Sequence, residues 1–417
     1  MEPVTLALTV IETPRHHQWV QIPPGAQFKE NKMIKIETEK LPILSWCNAP
    51  EETAIAQAKN LANLPFAVSR IALMPDTHMG YGMPIGGVLA TRGVIIPNAV
   101  GADIGCGMIA VKTHLTTKEA TPEWLQKIRT ILKGVIPMGV NRNAVQCPRE
   151  DMPEMRIYSP VIESCFNKAR TQMGTLGSGN HFIEIQKDKE NRIWIMIHSG
   201  SRNMGKKTGD YFNEIAKEYL RHAYSKVEKS WELDFLPADH PSGREYIGAM
   251  QYCVEYARLN RQTMMRKALE AIDAPGRTIK EAIDIKHNYA ECVEEAGEMV
   301  WLHRKGAISA KAGEIGIIPG SQGTKSYIVE GLGNKASFCS SSHGAGRRMS
   351  RKQAMRELVV EEEIGRMDKM GIIHGIKSSE DMDEAPSAYK DIDVVMAEQQ
   401  DLTKIKEELT PLMVIKG

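Results

Sequence analysis

Between residues 68 and 114 the chain passes through four short apolar runs, VSRIALM, GGVLA, GVIIP and GMIAVKT, parted by Gly- and Pro-bearing turns. Runs of this length bounded by turn residues read as strands, and strands so close along the chain must find partners in a sheet. Two more, FIEIQ (182–186) and IWIMIHS (193–199), come after a helix that opens at Thr121-Pro122-Glu123. A capping hydroxyl, a proline at the first helical position and an acid in the first turn favour initiation there. Helical pattern also covers about 51–64, most of 208–273 with an opening at Ser242-Gly243, and 350–370. Strands and helices do not alternate regularly, which argues against a βαβ array and for the α+β class. No Ser/Gly-rich linker divides the chain, so one large mixed domain over residues 1–417 is expected, with residues 1–65 weakly marked. Segments 137–156 and 371–388 are polar and read as surface connections.

Charge and composition bound the partners. The 53 Lys and Arg nearly cancel the 52 Asp and Glu, leaving +1 with His neutral, which argues against a basic field over the whole surface but permits a local basic groove. Aromatics at 6% are too few for a long base-stacking platform. The seven cysteines (47, 106, 147, 165, 253, 292 and 339) form no CxxC pair and read as thiols rather than a disulfide framework. The opening MEPVTLALTVIETPRHH lacks a basic n-region, its apolar stretch is broken, and no run is long enough to span a bilayer. The expectation is a soluble, cytoplasmic protein with no membrane partner.

Residues able to do chemistry recur beside glycines. Asp76 and His78 lie in MPDTHMGYGMPIGG (74–87), Asp103 and Cys106 in GADIGCGM (101–108), and Asn180, His181 and Glu184 in GTLGSGNHFIEIQ (174–186). His198 ends the strand in IMIHSGSR (195–202), His287 and Asn288 fall in DIKHNYAE (284–291), and His343 and Arg347 in CSSSHGAGRRMSR (339–351). Taken alone, each of these reads more readily as a plain turn, a capping histidine or a small buried cysteine than as part of a site. Their recurrence favours a site, because all but the fifth put a metal-competent side chain near glycines that let backbone approach a ligand. Imidazoles, carboxylate and thiolate make an open, mixed set that suits Mn, Fe, Co or Zn without choosing among them. Closed structural zinc would more often show paired cysteines, so the set leans catalytic. The histidines exceed the need of one ion, which permits a two-metal site or a nucleophilic imidazole outside the ligand shell.

Nucleotide signatures are incomplete. GTKS at 323–326 ends like a P-loop, but Lys325 does not directly follow the glycine, and no GxGxxG opens a βαβ unit. PGSQG (319–323) can cradle phosphate through main-chain N–H groups or be a plain Pro-Gly turn. Arg347, Arg348, Arg351 and Lys352 closely follow His343. Arg347 sits at the edge of the Gly-rich turn and is best placed to hold a phosphate, while Arg348 and Lys352 fit a solvated helix face equally well.

Together with HSGSR, KHNY, HRKGA, IIPGSQGTKSY, EAPSAYKDIDVVM and the closing VIKG, these segments run in order from about residue 70 to Gly417 and resemble the RtcB family of RNA ligases. The resemblance implies β-sheets surrounded by helices around a central metal-containing cleft. It implies a GTP- and Mn²⁺-dependent enzyme that joins RNA ending in a 3′-phosphate or 2′,3′-cyclic phosphate to RNA with a 5′-hydroxyl, in RNA repair or tRNA splicing. Asp103, Cys106, His181, His198 and His287 would then hold two Mn²⁺ ions, with Cys106 shared, and His343 would be the nucleophile that carries GMP. Arg347 would stabilise the transferring phosphoryl group, and Asp76 would orient a metal-bound water or His78. The guanylate pocket would draw on Asn180, His181, Phe182, Ile183, Glu184, His287 and Asn288. It would also use Pro319, Gly320, Ser321, Gln322 and Ser326, then His343, Gly344, Ala345, Gly346, Tyr389 and Lys416.

Two residues depart from the family pattern: Gln322 stands where Met is usual, and Asn203 follows HSGSR where Gly is usual. Both bear on pocket or turn shape and replace no implied ligand. The first sixty residues carry little resemblance. The alternative is a binuclear metallophosphoesterase acting on RNA ends, which needs the same ligands but no nucleotide-carrying His343.

Overall fold

The computed structural model describes residues 33–223, 227–272 and 282–417. The expected domain begins at residue 1, so its first 32 residues lie outside the described ones; from Lys32 to Gly417 the chain forms one compact unit. Seven strands make one antiparallel sheet, in the order Ala282–Lys286, Gly107–Thr116, Arg192–Ser199, Phe182–Lys187, Thr403–Lys416, Ser326–Gly331 and Ile315–Ile318. Six make a second, in the order Ile34–Ile36, Ile43–Ser45, Ala67–His78, Ile85–Thr91, Glu298–Lys305 and Asn288–Glu295. Only the pairing of Ile43–Ser45 with Ala67–His78 is parallel. The class is α+β, as the irregular order of elements implied.

Side-chain alternation sets the two faces of the larger sheet. Ile193, Ile195 and Ile197 point into a core shared with the helices Pro122–Val135 and Pro241–Ala271, while Trp194 and Met196 point the other way, and His198 with them. In the neighbouring strand Ile183 and Ile185 join the helical core, and Phe182 and Glu184 line the opposite face. One face is thus sealed by helices, and the other encloses a smaller apolar cluster of Met108, Ala110, Ile317, Ile328 and Leu409, with His198 and Glu184 on the same side.

The helix expected at Thr121 forms as Pro122–Val135, with the Thr121 hydroxyl accepting from the Trp124 N–H at 3.3 Å, a cap worth about 1 kcal/mol. The long helical run is two helices, Arg202–His222 and Pro241–Ala271, and the second starts at Pro241 under a His240 cap rather than at Ser242-Gly243. The run at 350–370 also divides, into Arg351–Glu357 and Val360–Lys369, because Leu358 and Val359 turn extended (ψ 141° and 121°). Segment 371–388 is no mere surface connection: Met382, Glu384, Ala385 and Ala388 are buried. No helix among the described residues is long and apolar enough to cross a membrane.

At one point the two sheets are joined by a single residue. Ala282–Lys286 edges the larger sheet, Asn288–Glu295 edges the smaller, and His287 alone lies between them. Its N–H donates to the Cys106 carbonyl at 2.9 Å, and its carbonyl accepts from the N–H groups of Gly306 (2.8 Å) and Ala307 (3.2 Å).

Candidate active site

Strand register assembles the first part of the site. Gly107 pairs with both Ser199 and Lys286, and Phe182 pairs with His198. Cys106, His181, His198 and His287 therefore emerge at the same end of adjacent strands. The Cys106 Sγ lies 3.3 Å from His198 Nε2 and 3.5 Å from His181 Nε2, and the latter nitrogen is 3.1 Å from Asp103 Oδ2. Two groups of three donors result, Cys106/His198/His287 and Asp103/Cys106/His181, each with its donor atoms within 4.8 Å of one another and both sharing Cys106.

The chain pre-sets the donors. His181 Nδ1 donates to the Leu176 carbonyl (2.9 Å) and His198 Nδ1 to that of Asn180 (3.0 Å), which leaves both Nε2 lone pairs facing the thiol. His287 Nδ1 is buried with no partner, an atom that a bound cation would satisfy. Burial holds His198 and His287 well below the ordinary imidazole range, so both are neutral and ready to ligate. Burial also pushes the Cys106 thiol well above its usual value, with the Asp103 charge adding to the effect. A divalent cation reverses that preference by ionising a coordinated thiol, so the set fits a metal better than it fits an isolated thiol. Asp103 approaches only because residue 200 is glycine: a Cβ there would sit 2.3 Å from Asp103 Oδ1.

Two residues of the helix Pro241–Ala271 brace this cluster. Asn260 Oδ1 accepts from the N–H of Gly174 (2.7 Å), and its Nδ2 donates to the Ser199 hydroxyl and the Gly200 carbonyl (both 3.2 Å). Arg261 donates to the carbonyls of Gly105 (3.0 Å) and Ser199 (3.2 Å) and pairs with Asp284 at 2.6 Å. Asn288 ties the Asp103 carbonyl (3.1 Å) to the Gly306 N–H (2.8 Å).

His343 stands beside the cluster, its ring centroid 4.8 Å from that of His287. Asp76 Oδ2 accepts from His343 Nδ1 at 2.6 Å, from the His343 N–H at 3.0 Å and from the Gly344 N–H at 3.3 Å. The carboxylate of Asp76 therefore serves His343 rather than His78, whose Nδ1 reaches only the main-chain carbonyl of Asp76 (2.9 Å). Burial alone would raise the Asp76 carboxyl, but the charge and hydrogen bond of His343 outweigh it and hold the carboxyl below its usual range. Lys390 fixes the strand on both sides, donating to the carbonyls of Pro75 (3.3 Å) and Thr77 (2.6 Å). Gly346, at φ +72°, is required there because a Cβ would lie 2.3 Å from the Asp76 carbonyl oxygen.

A cavity of about 740 Å³ opens from His198 and His343. Of the residues expected in a nucleotide pocket, Asn180, Phe182, Glu184, Pro319, Gly320, Ser321, Gln322, Gly344, Ala345, Gly346, Tyr389 and Lys416 line it, and so does Arg347. Its wall does not include His181, Ile183, His287, Asn288 or Ser326. Ile183 faces the helical core, where the strand alternation must send it. Ser326 acts from behind, bonded to Gln186 Nε2 (3.1 Å) and to the Gly320 N–H (3.4 Å). Glu184 is buried, and that burial pushes its carboxyl up to about 8 against the opposing pull of Gln186 and Lys416.

Opposite Glu184, a network centres on Glu384, which accepts from Tyr389 and Arg351 (2.8 Å) and pairs with Arg347 (3.3 Å) and Lys416 (3.8 Å). Arg347 also donates to the carbonyls of Asp383 (2.6 Å) and Met349 (3.1 Å). Gln322, one of the two departures, donates to the Glu384 carbonyl at 2.7 Å and keeps a buried Oε1 without a partner.

Sequence reasoning missed Glu384, Lys390, Asn260 and Arg261 as individual residues. For the last two a signal existed: they continue the buried stripe of Tyr256, Ala257, Met264 and Met265, where polar residues need a reason. For Glu384 and Lys390 the signal was the segment EAPSAYKDIDVVM that contains them, which marked the stretch without saying which residue acts.

Comparison with known proteins bears on the whole chain. A family model described as "tRNA-splicing ligase RtcB" matches residues 57–158 and 150–417. The chain is 38% identical to the RNA-splicing ligase RtcB of Escherichia coli K12, over 93% of its own length and 98% of that protein. It is 31% identical to the tRNA-splicing ligase RtcB of Pyrobaculum aerophilum, over 95% of this chain and 97% of that one. It is also 31% identical to the RNA-splicing ligase RtcB of Mycobacterium tuberculosis, over 87% and 100%.

Proposed function

For a chain that thus belongs to the RtcB family, we propose an RNA ligase that joins 3′-phosphate or 2′,3′-cyclic phosphate ends to 5′-hydroxyl ends through GMP carried on His343. The observation that carries the reading is the Asp76–His343 pair in the wall of a nucleotide-sized cavity beside the thiol–imidazole cluster. With Nδ1–H committed to Asp76, the lone pair of His343 sits on Nε2, the nitrogen free to attack phosphorus. Nε2 attacks the α-phosphorus of GTP, the bond to the β-phosphate oxygen breaks, and pyrophosphate leaves. The positive charge that develops on the imidazole is balanced by Asp76, which stays ionised despite its burial.

An RNA 3′-phosphate oxygen then displaces His343 from the GMP phosphorus. This exchange converts an oxide, a poor leaving group, into GMP, a good one. The incoming 5′-hydroxyl attacks the 3′-phosphorus and GMP departs. Arg347 faces the cavity with its guanidinium held by Glu384 and by two carbonyls, so it meets developing phosphoryl charge without reorganising. In this reading Glu184 and Phe182 of the cavity wall receive the guanine base, whose donor edge favours the ionised Glu184 that burial disfavours. Asp103, Cys106, His181, His198 and His287 would hold two Mn²⁺ ions, which would supply Lewis-acid polarisation of phosphoryl oxygens.

The test is incubation with α-labelled GTP and Mn²⁺, comparing wild type with His343→Ala. An acid-labile protein label is expected in wild type and none in the variant. Wild type that takes no label yet hydrolyses phosphate esters would instead make the protein a binuclear metallophosphoesterase.

A further inference from the structure

Residues 79–81 part the main cavity from a second one of about 390 Å³: Met79 lines the first and Tyr81 the second. The chemistry derived above leaves the polar groups of the second cavity unused. Lys305, 7% exposed, donates from Nζ to the carbonyls of Tyr81 (2.5 Å) and Asn98 (3.0 Å), and among the described residues it has no ion pair. Burial lowers the Lys305 amine to about 7; its ammonium form has three protons and so keeps one for a ligand, and an acceptor placed there favours that charged form. Asn213, on the helix Arg202–His222, is also 7% exposed, and its Oδ1 is buried with no partner. An acceptor buried in this way costs free energy unless something occupies the cavity.

The rim and floor suit a flat ring. Tyr81 is 53% exposed at the rim, where its phenol ring offers an aromatic surface that the fold leaves uncovered. Gly101 and Gly209 line the cavity without side chains to fill it. The acids around it are already matched, Glu214 by Lys217 (2.7 Å) and Asp210 by Lys206 (2.6 Å).

We propose that this second cavity receives one unstacked nucleobase of the bound RNA, with Tyr81 stacking on its face and Lys305 and Asn213 meeting its Watson–Crick edge. The inference rests on the RNA-ligase reading and adds to it a place for a base outside the guanylate pocket. Each of the four bases carries a donor next to an acceptor on that edge, which answers an amide oxygen and an ammonium together, so recognition is sequence-tolerant. A phosphate would satisfy Lys305 but would leave the Tyr81 ring without a partner, whereas a base uses both. Ala102 lines this cavity one residue before Asp103, which sets the cavity wall next to a proposed ion ligand.

The test uses the full chain and a fluorescein-labelled single-stranded RNA with a 5′-hydroxyl, followed by anisotropy, with labelling by α-labelled GTP measured in parallel. Tyr81→Ala and Asn213→Leu are each expected to weaken RNA binding about tenfold and to leave labelling at the wild-type level. In an RNA series with one abasic position, one member should lose about tenfold on wild type and no more on Tyr81→Ala. Unchanged affinity in both variants overturns the proposal, as does an abasic loss that persists in full on Tyr81→Ala. Inorganic phosphate that abolishes the difference between wild type and variants at constant ionic strength also overturns it, making the cavity an anion site. Absence of GTP labelling in wild type would sink the ligase reading while the RNA affinities still decide this one.

Discussion

The two ends of the main cavity solve opposite problems. At the end near His198, imidazoles and the Cys106 thiol are packed together, burial disfavours the charged forms of His198, His287 and Cys106, and His287 Nδ1 has no partner. At the Glu384 end, three cations converge on one carboxylate that is 3% exposed, and each has a partner already. The first end offers a donor set that a cation would complete; the second is charge-balanced within itself. The difference shows which end is built to gain its charge from outside and which brings its own.

The comparison can be broken most sharply at Cys106. If that sulfur bridges two ions, Cys106→Ser should lose both, and metal analysis of the purified variant should fall from two ions per chain towards none with ligation abolished. Two ions fully retained would refute the bridge. Asp76→Asn comes next: the amide can reverse the tautomer of His343, so GTP labelling should slow about 10²–10⁴-fold while GTP binding persists. A variant labelled at the wild-type rate would leave Asp76 a purely structural residue.

Glu384→Gln tests the balanced end. Leaving Arg347, Arg351 and Lys416 without their shared carboxylate should cost about 3 kcal/mol in urea unfolding, the low end for a buried pair because Arg351 is half exposed. An unchanged midpoint would show that Asp383 compensates.

The smallest effect separates two buried glutamates of one cavity by pH. Burial opposes ionisation of Glu384, but Lys416 and the arginines win and hold its carboxyl below the usual range. Its contribution is therefore present above the ordinary carboxylate value and fades as pH falls through the lower folded value. Glu184 is raised to about 8, so between its ordinary value and about 8 the folded chain binds the proton that the unfolded chain has lost. Stability then falls as pH rises through that window. Glu184→Gln should raise the thermal midpoint at pH 8 more than at pH 5, and an equal rise at both would count against the shift.

What the sequence made legible follows its local signals. Imidazoles and thiol beside glycines were visible because backbone approach leaves a composition trace, and the register of three strands then placed Cys106, His181 and His198 together. The helix at Pro122 was legible from its cap. The strand Thr403–Lys416, fourteen residues long and central to the larger sheet, was not. Its first half is rich in Lys and Glu, and Pro411 sits at a register shift between Pro411 and Met413, the kind of irregularity that lets proline into a sheet. Glu384 was hidden for another reason: its burial is created by partners at residues 347, 351, 389 and 416, and no window around it reports them.

The single-residue passage at His287 has a mechanical consequence. A strand that changes sheets in one step gives the two sheets almost no slack at that point, and the step is clamped by main-chain bonds to Cys106 on one side and to Gly306 and Ala307 on the other. Sliding of one sheet against the other must then displace the His287 ring from the Cys106 thiol. An ion seated between them would act as a rivet, so metal loading should slow amide exchange in the strands Gly107–Thr116 and Glu298–Lys305 alike, although only the first starts at a ligand.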